Sequence, residues 1–402
     1  MTAPAALAHR TRLAVVLGAL SAFGPITTDL YLPSLPEAAT DLHASQPQIQ
    51  ATLTTCLIGL ALGQVFVGPL SDAVGRRRPM IGGVALFVVS SLLCAMAPTV
   101  YLLDFFRLVQ GLAGSAGVVL SLAIVRDLLS GVGAAQLITA LSAVGGVAPI
   151  LAPVIGAQLL RVMDWRGLFY VLAGLGAVLL AVAVLGVPES LPYERRNPLR
   201  LRPLWDGFAT LSTDLRFVGF TAAAAFAFAT MFSYISTSPF VFQEHFGFTQ
   251  AQFSALFAVN ASGMLTVNVV GGRLMSRVSG ETLVRFGLAG ILTGAVGMLV
   301  CSLTVGLWGI VTFLFLTVIW VVLVLATLSA FALEDHAAIA GTASALVGAS
   351  RFALGGIMAA IAGTGGADPT TLAVVMTVCA TIAVASFFVA SFSGARHTRH
   401  QA

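Results

Sequence analysis

Asp29 interrupts the first long apolar segment of the chain. The purely apolar part, residues 13–26, is too short to cross a bilayer, which needs about 20 residues. The span is therefore expected to continue to about Pro33, which takes Asp29 into the membrane. A charge at the bilayer centre costs about 2.5–3.5 kcal/mol on insertion scales, so such a residue faces protein or water and is functional by default. We interpret Asp29 as a proton-exchanging carboxylate; the alternative is that it only marks the outer end of its helix.

A second charged residue, Arg107, lies within a predicted span. A guanidinium stays protonated, so it needs an acidic partner or water inside a membrane. Asp104, three residues earlier, is one candidate partner, although it could equally be an interfacial residue, and Asp29 is the other. Desolvation favours a neutral carboxyl group and a nearby guanidinium favours an ionised one. We therefore predict that Asp29 exchanges protons and that Arg107 tunes it. Arg351 also falls within a span, and the sequence names no partner for it.

The composition is that of an integral membrane protein. The 402 residues are 58% hydrophobic and 9% charged, with a mean hydropathy of +0.98; soluble domains carry about 25% charge. The four cysteines lie singly in apolar runs, as packing residues do. The sequence contains no zinc-ligand spacing, P-loop or serine-hydrolase elbow. We therefore predict neither an enzyme nor a cofactor, with the proton gradient as the energy source and no nucleic-acid partner.

Apolar runs separated by Gly, Pro and charged clusters predict twelve spans. These are 13–36, 48–70, 79–98, 101–122, 135–160, 166–187, 217–241, 250–272, 282–302, 306–331, 341–362 and 370–392. The first is interpreted as a retained helix rather than a cleaved signal peptide, because no small-residue cleavage site follows a short apolar region.

The arginines orient these spans. The chain has no lysine, and of its 20 arginines only Arg161 and Arg166 fall in segments predicted to lie outside. Arg107 and Arg351 fall within spans, and all others fall inside if both termini are cytoplasmic. The positive-inside rule therefore predicts a multi-pass protein with both termini in the cytoplasm. The absence of lysine is typical of a GC-rich bacterial genome, so the predicted location is a bacterial cytoplasmic (inner) membrane.

The longest polar connection divides the spans into six and six. It predicts an N-terminal bundle at 1–187, a cytoplasmic linker at 188–215 and a C-terminal bundle at 216–402. An internal repeat supports this division, because Gly, Leu and Val of the segment 68–75 recur in register in the segment 272–279. Two parallel repeats around a midplane site are a transporter architecture. The predicted fold class is therefore an all-α membrane protein with twelve transmembrane helices in two pseudo-symmetric six-helix bundles.

The connection after the second span combines glycines with one acid and consecutive arginines. Glycine allows tight turns, and an acid beside arginines at a helix end can form a charge network. The alternative is that the arginines only anchor a cytoplasmic loop. We predict a conformational latch, and its residues are Gly68, Asp72, Gly75, Arg76 and Arg77. This pattern resembles the signature of the major facilitator superfamily, G-x-L-x-D-x-x-G-R-[RK].

Two further motifs strengthen the resemblance. Arg107, Gln110 and Gly111 match the superfamily's R-x-x-Q-G motif. The fifth span resembles the antiporter motif, a Gly/Pro-rich helix found mainly in drug-exporting members. Glycines allow close packing of helices and prolines bend them; an ordinary kinked span is the alternative. The motif residues are Gly145, Pro149, Pro153 and Gly156.

The resemblance narrows to one branch, the bicyclomycin/chloramphenicol-resistance (Bcr/CflA-type) drug:proton antiporters. The segments that carry it are 29–36, 126–128, 164–169, 236–241 and 341–346. It implies the major facilitator fold and drug efflux coupled to protons. Some relatives carry a second acid about two turns before the Asp29 position, where this chain has Ser21, so coupling through two acids of that helix is not expected.

The wall of the substrate cavity is predicted from aromatic, Met and amide residues on spans 1, 7 and 8: Tyr31, Met231, Phe232, Tyr234 and Asn260. An aromatic and Met stripe at helical spacing also suits ordinary helix packing, so both interpretations stand.

The predicted function is proton-coupled efflux of drugs, with phenicol- or bicyclomycin-like substrates, by a monomer in the lipid bilayer. The main alternative is a proton-linked exporter of a cellular metabolite such as an amino acid or nucleoside, which would use the same scaffold. A non-transporting membrane sensor or scaffold is disfavoured, because it needs no buried acid–arginine pair.

Overall fold

The computed structural model describes residues 16–21, 23–129, 133, 137–138, 141, 148, 151–196, 202–304, 306–336 and 339–400, with the backbone alone at 25, 202–206, 340 and 393–400. The regular structure within these ranges is helical. Two compact units form, one from Met1–Ala44 and Thr55–Arg200, the other from Ser45–Thr54 and Leu201–Ala402. The predicted domain limits divide the chain by the order of its membrane spans, whereas these units are defined by which residues lie close together in space. The predicted limits therefore stay a prediction.

The first unit contains the helices that position Asp29 and Arg107. Its bounds in chain order are α1 (Phe23–Asp29), a 3₁₀ turn (Leu32–Ser34), α2 (Leu35–Asp41), α3 (Gln46–Val74), α4 (Arg77–Ala95), α5 (Val100–Leu128), α6 (Trp165–Gly186) and a 3₁₀ turn (Tyr193–Arg195). Helix α4 packs against both α5 and α6, and α1 packs against α5.

The second unit is centred on its most buried long helix. Its bounds are α7 (Arg202–Thr213), α8 (Leu215–Phe240), a π turn (Val241–His245), α9 (Gln250–Leu274), α10 (Gly280–Thr304), α11 (Leu307–Val318), α12 (Val321–Glu334), α13 (Ala340–Gly363) and α14 (Pro369–His400). Helix α8 packs against α12, α13 and α14. The start of α3 belongs to this unit, where the Gln50 amide donates to the Ser236 carbonyl at 3.1 Å.

Within the described residues, 10 helical segments are long and apolar enough to span a membrane. They coincide with predicted spans 2–4 and 6–12. Predicted spans 1 and 5 overlap residues outside the description, and their described parts, such as Phe23–Asp29 and residues 151–159, are helical. The all-α membrane prediction is confirmed.

Side-chain caps fix several of these helix starts. The Thr99, Asp164 and Asp214 side chains each accept a hydrogen bond from a backbone N–H of the helix that follows. Thr249 and Gln252 form a reciprocal capping box at the start of α9. Such caps satisfy N–H groups that a helix leaves unpaired in its first turn.

Glycines bring helices of the first unit into backbone contact. A Cβ at Gly59 of α3 would overlap the Leu108 carbonyl of α5, and one at Gly111 of α5 would overlap the Cys56 carbonyl of α3. A Cβ at Gly117 would likewise overlap the Leu20 carbonyl. Without a hydrophobic driving force between helices in lipid, such close packing is a main source of association.

Three elements depart from the predicted spans. The first span is broken after Asp29 by a turn and a 3₁₀ segment before α2 begins. The tenth is split into α11 and α12 at residues 319–320. The predicted linker contains a helix, α7, on which the apolar residues Phe208 and Leu211 lie three positions apart and Leu211 is fully buried. A pattern this short within a polar stretch is too brief to predict an amphipathic helix from sequence.

Candidate functional site

Asp29 is the last residue of α1 and is buried, with 6% of its surface exposed. Its carboxylate accepts a hydrogen bond from the Thr28 hydroxyl at 3.0 Å. Thr27 and Thr28 also donate to the carbonyls four residues earlier, a type of bond that often bends a helix. No cationic side chain of the described residues lies within 4.0 Å of this carboxylate. Asp29 thus ends its helix and is enclosed by protein, and its role in proton exchange stays a prediction.

Arg107 is fully buried on α5 and reaches the same turn of α1 through the backbone. Its Nη1 donates to the Thr27 carbonyl at 3.1 Å and to Gln110 Oε1 at 2.7 Å. The guanidinium also lies over the rings of Tyr31 at 5.3 Å and Phe169 at 5.6 Å. The Gln110 amide in turn donates to the Ser91 hydroxyl of α4 at 2.8 Å. This network ties α1, α4 and α5 together two residues from Asp29.

The other predicted members of this region lie at its margin. The Oδ1 atom of Asp104 is buried without a hydrogen-bond partner among the described residues, and the residue itself is half-buried. The Ser21 hydroxyl donates to the Gly18 carbonyl at 2.8 Å, within its own helix.

The described half of the antiporter motif packs directly against the Asp29 turn. Pro153 and Gly156 are both buried, and a Cβ at Gly156 would overlap the carbonyl oxygen of Leu30. Gly145 and Pro149 lie outside the described residues. The motif glycine thus allows the fifth span to approach the backbone next to Asp29.

Tyr31, predicted to line the substrate cavity, is fully buried among aromatic rings. Its ring lies 5.1 Å from that of Phe169 and 6.4 Å from that of Trp165. Trp165 Nε1 donates to Asp41 at 3.2 Å, and Arg166 pairs with the same carboxylate at 3.0 Å. The segment after Asp29 is therefore held by aromatic packing and by ion pairs at its far end.

The predicted latch forms a charge network within the first unit. Arg76 pairs with Asp72 one turn earlier and, through Nε, with Asp127 of α5 at 3.0 Å. Its Nη1 also donates to the Ser71 hydroxyl. Arg77 Nη2 donates to the Val184 carbonyl of α6 at 2.7 Å. Gly68, the remaining predicted member, lies within α3 with a methyl group of Val119 near its Cβ position. One network therefore connects the ends of α3, α5 and α6 at the predicted cytoplasmic surface.

Glu189, which was not predicted, completes this network after α6. Its carboxylate accepts from the backbone N–H of Arg76 at 2.8 Å and of Leu191 at 3.1 Å, and lies 3.7 Å from Arg196. Gly75 adopts a φ of +98°, and the space a side chain would fill there holds the Glu189 carboxylate. Partial burial raises the pKa of Glu189, but backbone N–H donors and Arg196 outweigh it, so the pKa lies below its ordinary value of 4.5. Position 75 therefore requires glycine, because the backbone has a positive φ and the carboxylate of Glu189 leaves no room for a Cβ.

The predicted cavity residues of the second unit separate into two groups. Tyr234 and Asn260 are buried at 2% and 1% exposure, and Asn260 Nδ2 donates to the Tyr234 hydroxyl at 2.9 Å. Phe232 is also buried, while Met231 is half-exposed on the same helix. The Asn260 Oδ1 atom has no hydrogen-bond partner among the described residues. The amide and the tyrosine thus form one internal polar pair between α8 and α9.

A family model describes almost this whole arrangement. Residues 17–360 match the model of the Major Facilitator Superfamily. The chain belongs to the major facilitator superfamily. It is a multi-pass membrane transporter rather than an enzyme, as predicted.

Two relatives place this facilitator within the superfamily. It is 35% identical to the uncharacterized MFS-type transporter YdgK of Bacillus subtilis over 94% of this chain and 95% of that protein. It is 32% identical to a bicyclomycin resistance protein homolog of Haemophilus influenzae over 93% of this chain and 94% of that protein. The second match confirms the resemblance to the bicyclomycin-resistance branch.

Solved transporters share the fold at low sequence identity. The xylose transporter XylE from E. coli, in a partially occluded inward-open conformation, is similar with a TM-score of 0.71 at 14% identity. That likeness covers 93% of this chain and 97% of XylE. The predicted major facilitator fold is confirmed, and its division into two six-helix bundles stays a prediction.

Gly156→Ala tests the contact between the antiporter motif and the Asp29 turn. The added Cβ overlaps the Leu30 carbonyl, so we expect a loss of about 1–3 kcal/mol in the free energy of unfolding and a loss of transport. Thermal unfolding in detergent measures the loss of stability, and uptake into vesicles measures the loss of transport. The control is Gly174→Ala on α6, where nothing lies within 4 Å of the added methyl group. Wild-type melting and transport by the Gly156 variant would show that the contact has no role.

Glu189→Gln tests the cytoplasmic network. The amide cannot supply the charge that holds three backbone N–H donors, of Arg76, Arg77 and Leu191, and Arg196, so we expect a loss of about 1–2 kcal/mol in the free energy of unfolding. Because the pKa is lowered in the folded state, the stabilisation is present above pH 4.5 and is lost as the pH falls through the folded pKa. Melting temperatures of wild type and variant should therefore converge on acidification. Glu194→Gln, an exposed neighbour, is the control, and a constant gap across pH would contradict the assignment.

Proposed function

We propose that this facilitator exports drugs across the bacterial cytoplasmic membrane in exchange for protons, with bicyclomycin- or phenicol-like compounds as substrates. The observation that carries the proposal is the enclosed carboxylate of Asp29 at the end of α1, two residues after the carbonyl to which a fully buried arginine donates. The bicyclomycin resistance homolog, similar along nearly the whole chain, supports a drug as the cargo. Both termini are proposed to be cytoplasmic, as the arginine distribution indicates.

The proton step follows from how Asp29 is held. An ionised carboxylate is costly in an apolar enclosure unless water or a cation reaches it. The Thr28 hydroxyl is a weak compensation, so we infer that Asp29 holds a proton whenever its enclosure is dry. Opening of the site to the cytoplasm would hydrate the carboxylate and release the proton there. A drug entering the site would then favour the next change of conformation.

Arg107 is proposed to set the position of the Asp29 turn rather than to neutralise the carboxylate. It binds the carbonyl two residues before Asp29, and the planar guanidinium is fixed between Gln110 and two rings. A movement of α5 would therefore be transmitted to the backbone that carries Asp29. The membrane potential supplies about 2.3 kcal/mol per charge per 100 mV for the inward proton, which is enough to export a neutral drug against a gradient.

Asp29→Asn tests the proton step. The amide is nearly isosteric but cannot exchange a proton, so we expect pH-driven export of chloramphenicol and bicyclomycin to be abolished in proteoliposomes. Exchange of substrate across the membrane without a pH gradient should continue, since the protein remains folded. Glu281→Gln, which removes an acid from an exposed pair with Arg285, should leave both activities unchanged.

Full pH-driven export by the Asp29 variant would contradict the proton role. Amino acids and nucleosides are tested in the same vesicles. Transport of one of these by wild type in place of both drugs would favour the metabolite exporter over drug efflux and leave the role of Asp29 intact.

Arg107→Lys tests the positioning role while keeping the charge. Both hydrogen bonds come from the single atom Nη1, while the plane of the guanidinium faces the rings of Tyr31 and Phe169. An ammonium group has no such plane to pack on the rings while it binds the two oxygens. We expect about 1–3 kcal/mol of lost stability and slower transport. The control is Arg161→Lys, because Arg161 forms the same kind of pair with Gln158, three residues away, but on the exposed surface. Wild-type transport rates by the Arg107 variant would show that charge alone suffices.

A further inference from the structure

Arg351 is the second arginine within the membrane, and it lies near the middle of α13. At 1.5 Å per residue it is about 16–18 Å from each end of the helix. Arginines near helix ends reach the interface by snorkelling, which this position does not allow. Val347 and Gly355, one turn to either side, are buried, whereas Ile357 and Ile361, about 120° and 80° around the helix from Arg351, are 52% and 45% exposed. The guanidinium therefore projects from the protein-facing side of α13.

Among the described side chains, none supplies a counter-charge for Arg351. Of the 16 acidic residues, every side chain except that of Asp206 is described, and none of the described ones lies within 4.0 Å of it. Asp206 precedes Gly207, which lies against Thr342, about 13 Å along α13 from Arg351. Because a guanidinium stays charged at any physiological pH, an anion or water must face it.

Aromatic surface adjoins this cation. The Phe228 ring contacts the Phe352 ring at 5.4 Å and stacks on Phe232 at 5.8 Å. Phe228 occupies the space that a side chain at position 355 would fill, so the missing Cβ of Gly355 brings the ring one turn from Arg351. Phe228, Phe352 and Met231 are half-buried, as is Arg351 itself, so each keeps a part of its surface accessible. A single cation thus lies beside accessible apolar surface inside the second unit.

We propose that Arg351 and this aromatic surface bind a hydrophobic organic anion, so that the protein exports amphiphilic acids as well as neutral drugs. A carboxylate or sulfonate would form charge-assisted hydrogen bonds with the guanidinium, and its apolar part would pack on Phe228 and Phe352. The substrate class rests on the proposed export function. Exchange of an inward proton for an outward anion moves twice the charge of exchange for a neutral drug, so anion export is also the more sensitive to membrane potential.

Binding of a matched pair of probes tests the proposal without any gradient. Naphthalene-2-sulfonate and naphthalene-2-sulfonamide differ in charge but share the ring system. Titration calorimetry on the purified protein is expected to show the sulfonate bound about tenfold or more tightly. Arg351→Gln should abolish that preference while leaving sulfonamide affinity unchanged, and Arg351→Lys should keep part of it.

The wild-type result alone can overturn the proposal. The proposal is wrong if wild type binds the sulfonate no more tightly than the sulfonamide, or if it binds neither probe measurably. It is also wrong if the preference for the sulfonate survives Arg351→Gln. If the Gln variant fails to fold, Arg351→Lys and Phe228→Leu decide: the first should reduce the preference for the sulfonate, and the second should weaken both probes equally. Asp29→Asn should retain the preference, so a failure of proton coupling and a failure of anion recognition give different results.

Discussion

The cost of a charge in hydrocarbon determines how this protein is built. Asp29 lies in the predicted first span and Arg107 on the membrane-spanning helix α5, and both are almost fully enclosed by protein. Arg107 is acceptable there because it donates to two oxygens and faces two rings. The chain after Asp29 leaves the α-helix, and irregular backbone at membrane depth is tolerated only where protein or water surrounds it. The enclosure is therefore required by the backbone as well as by the charges.

Glycines make that enclosure possible. Gly59 and Gly111 let α3 and α5 approach to backbone contact, and Gly156 does the same for the fifth span beside Leu30. Larger residues would move these helices apart and admit lipid or water to the carboxylate. At the predicted cytoplasmic end, Gly75 has a different role, since its positive φ turns the chain toward Glu189. Close packing in the membrane and a charge network outside it thus stabilise one arrangement of the first unit.

Much of this follows from sequence, because it depends on local pattern. Long apolar runs define the helices, and a lone acid or arginine in such a run must be buried. What the sequence does not show is which distant group satisfies each charge. Arg107 reaches a backbone carbonyl near Asp29, a group that every residue carries and no motif marks. Glu189 accepts a hydrogen bond from the backbone N–H of Arg76, which lies more than one hundred positions earlier in the chain. Glu189 itself is in a segment with the composition of an ordinary linker. Tyr31 carries the polar tip expected of a cavity residue, but three aromatic or cationic neighbours bury it.

The two membrane arginines show how the same physical rule leads to different roles. Both stay charged, and both lie where lipid would be prohibitively costly. Arg107 is fully buried, and its Nη1 hydrogen bonds and ring contacts hold α1, α4 and α5 together, so it is enclosed away from a ligand. Arg351 is half-buried, with part of its surface accessible, and none of the described side chains supplies it with an anion. A protein that only needed packing at this position would gain stability from an apolar residue, because replacing an uncompensated charge removes its desolvation cost. The retained charge is therefore better explained by a partner that comes and goes than by the architecture of the second unit.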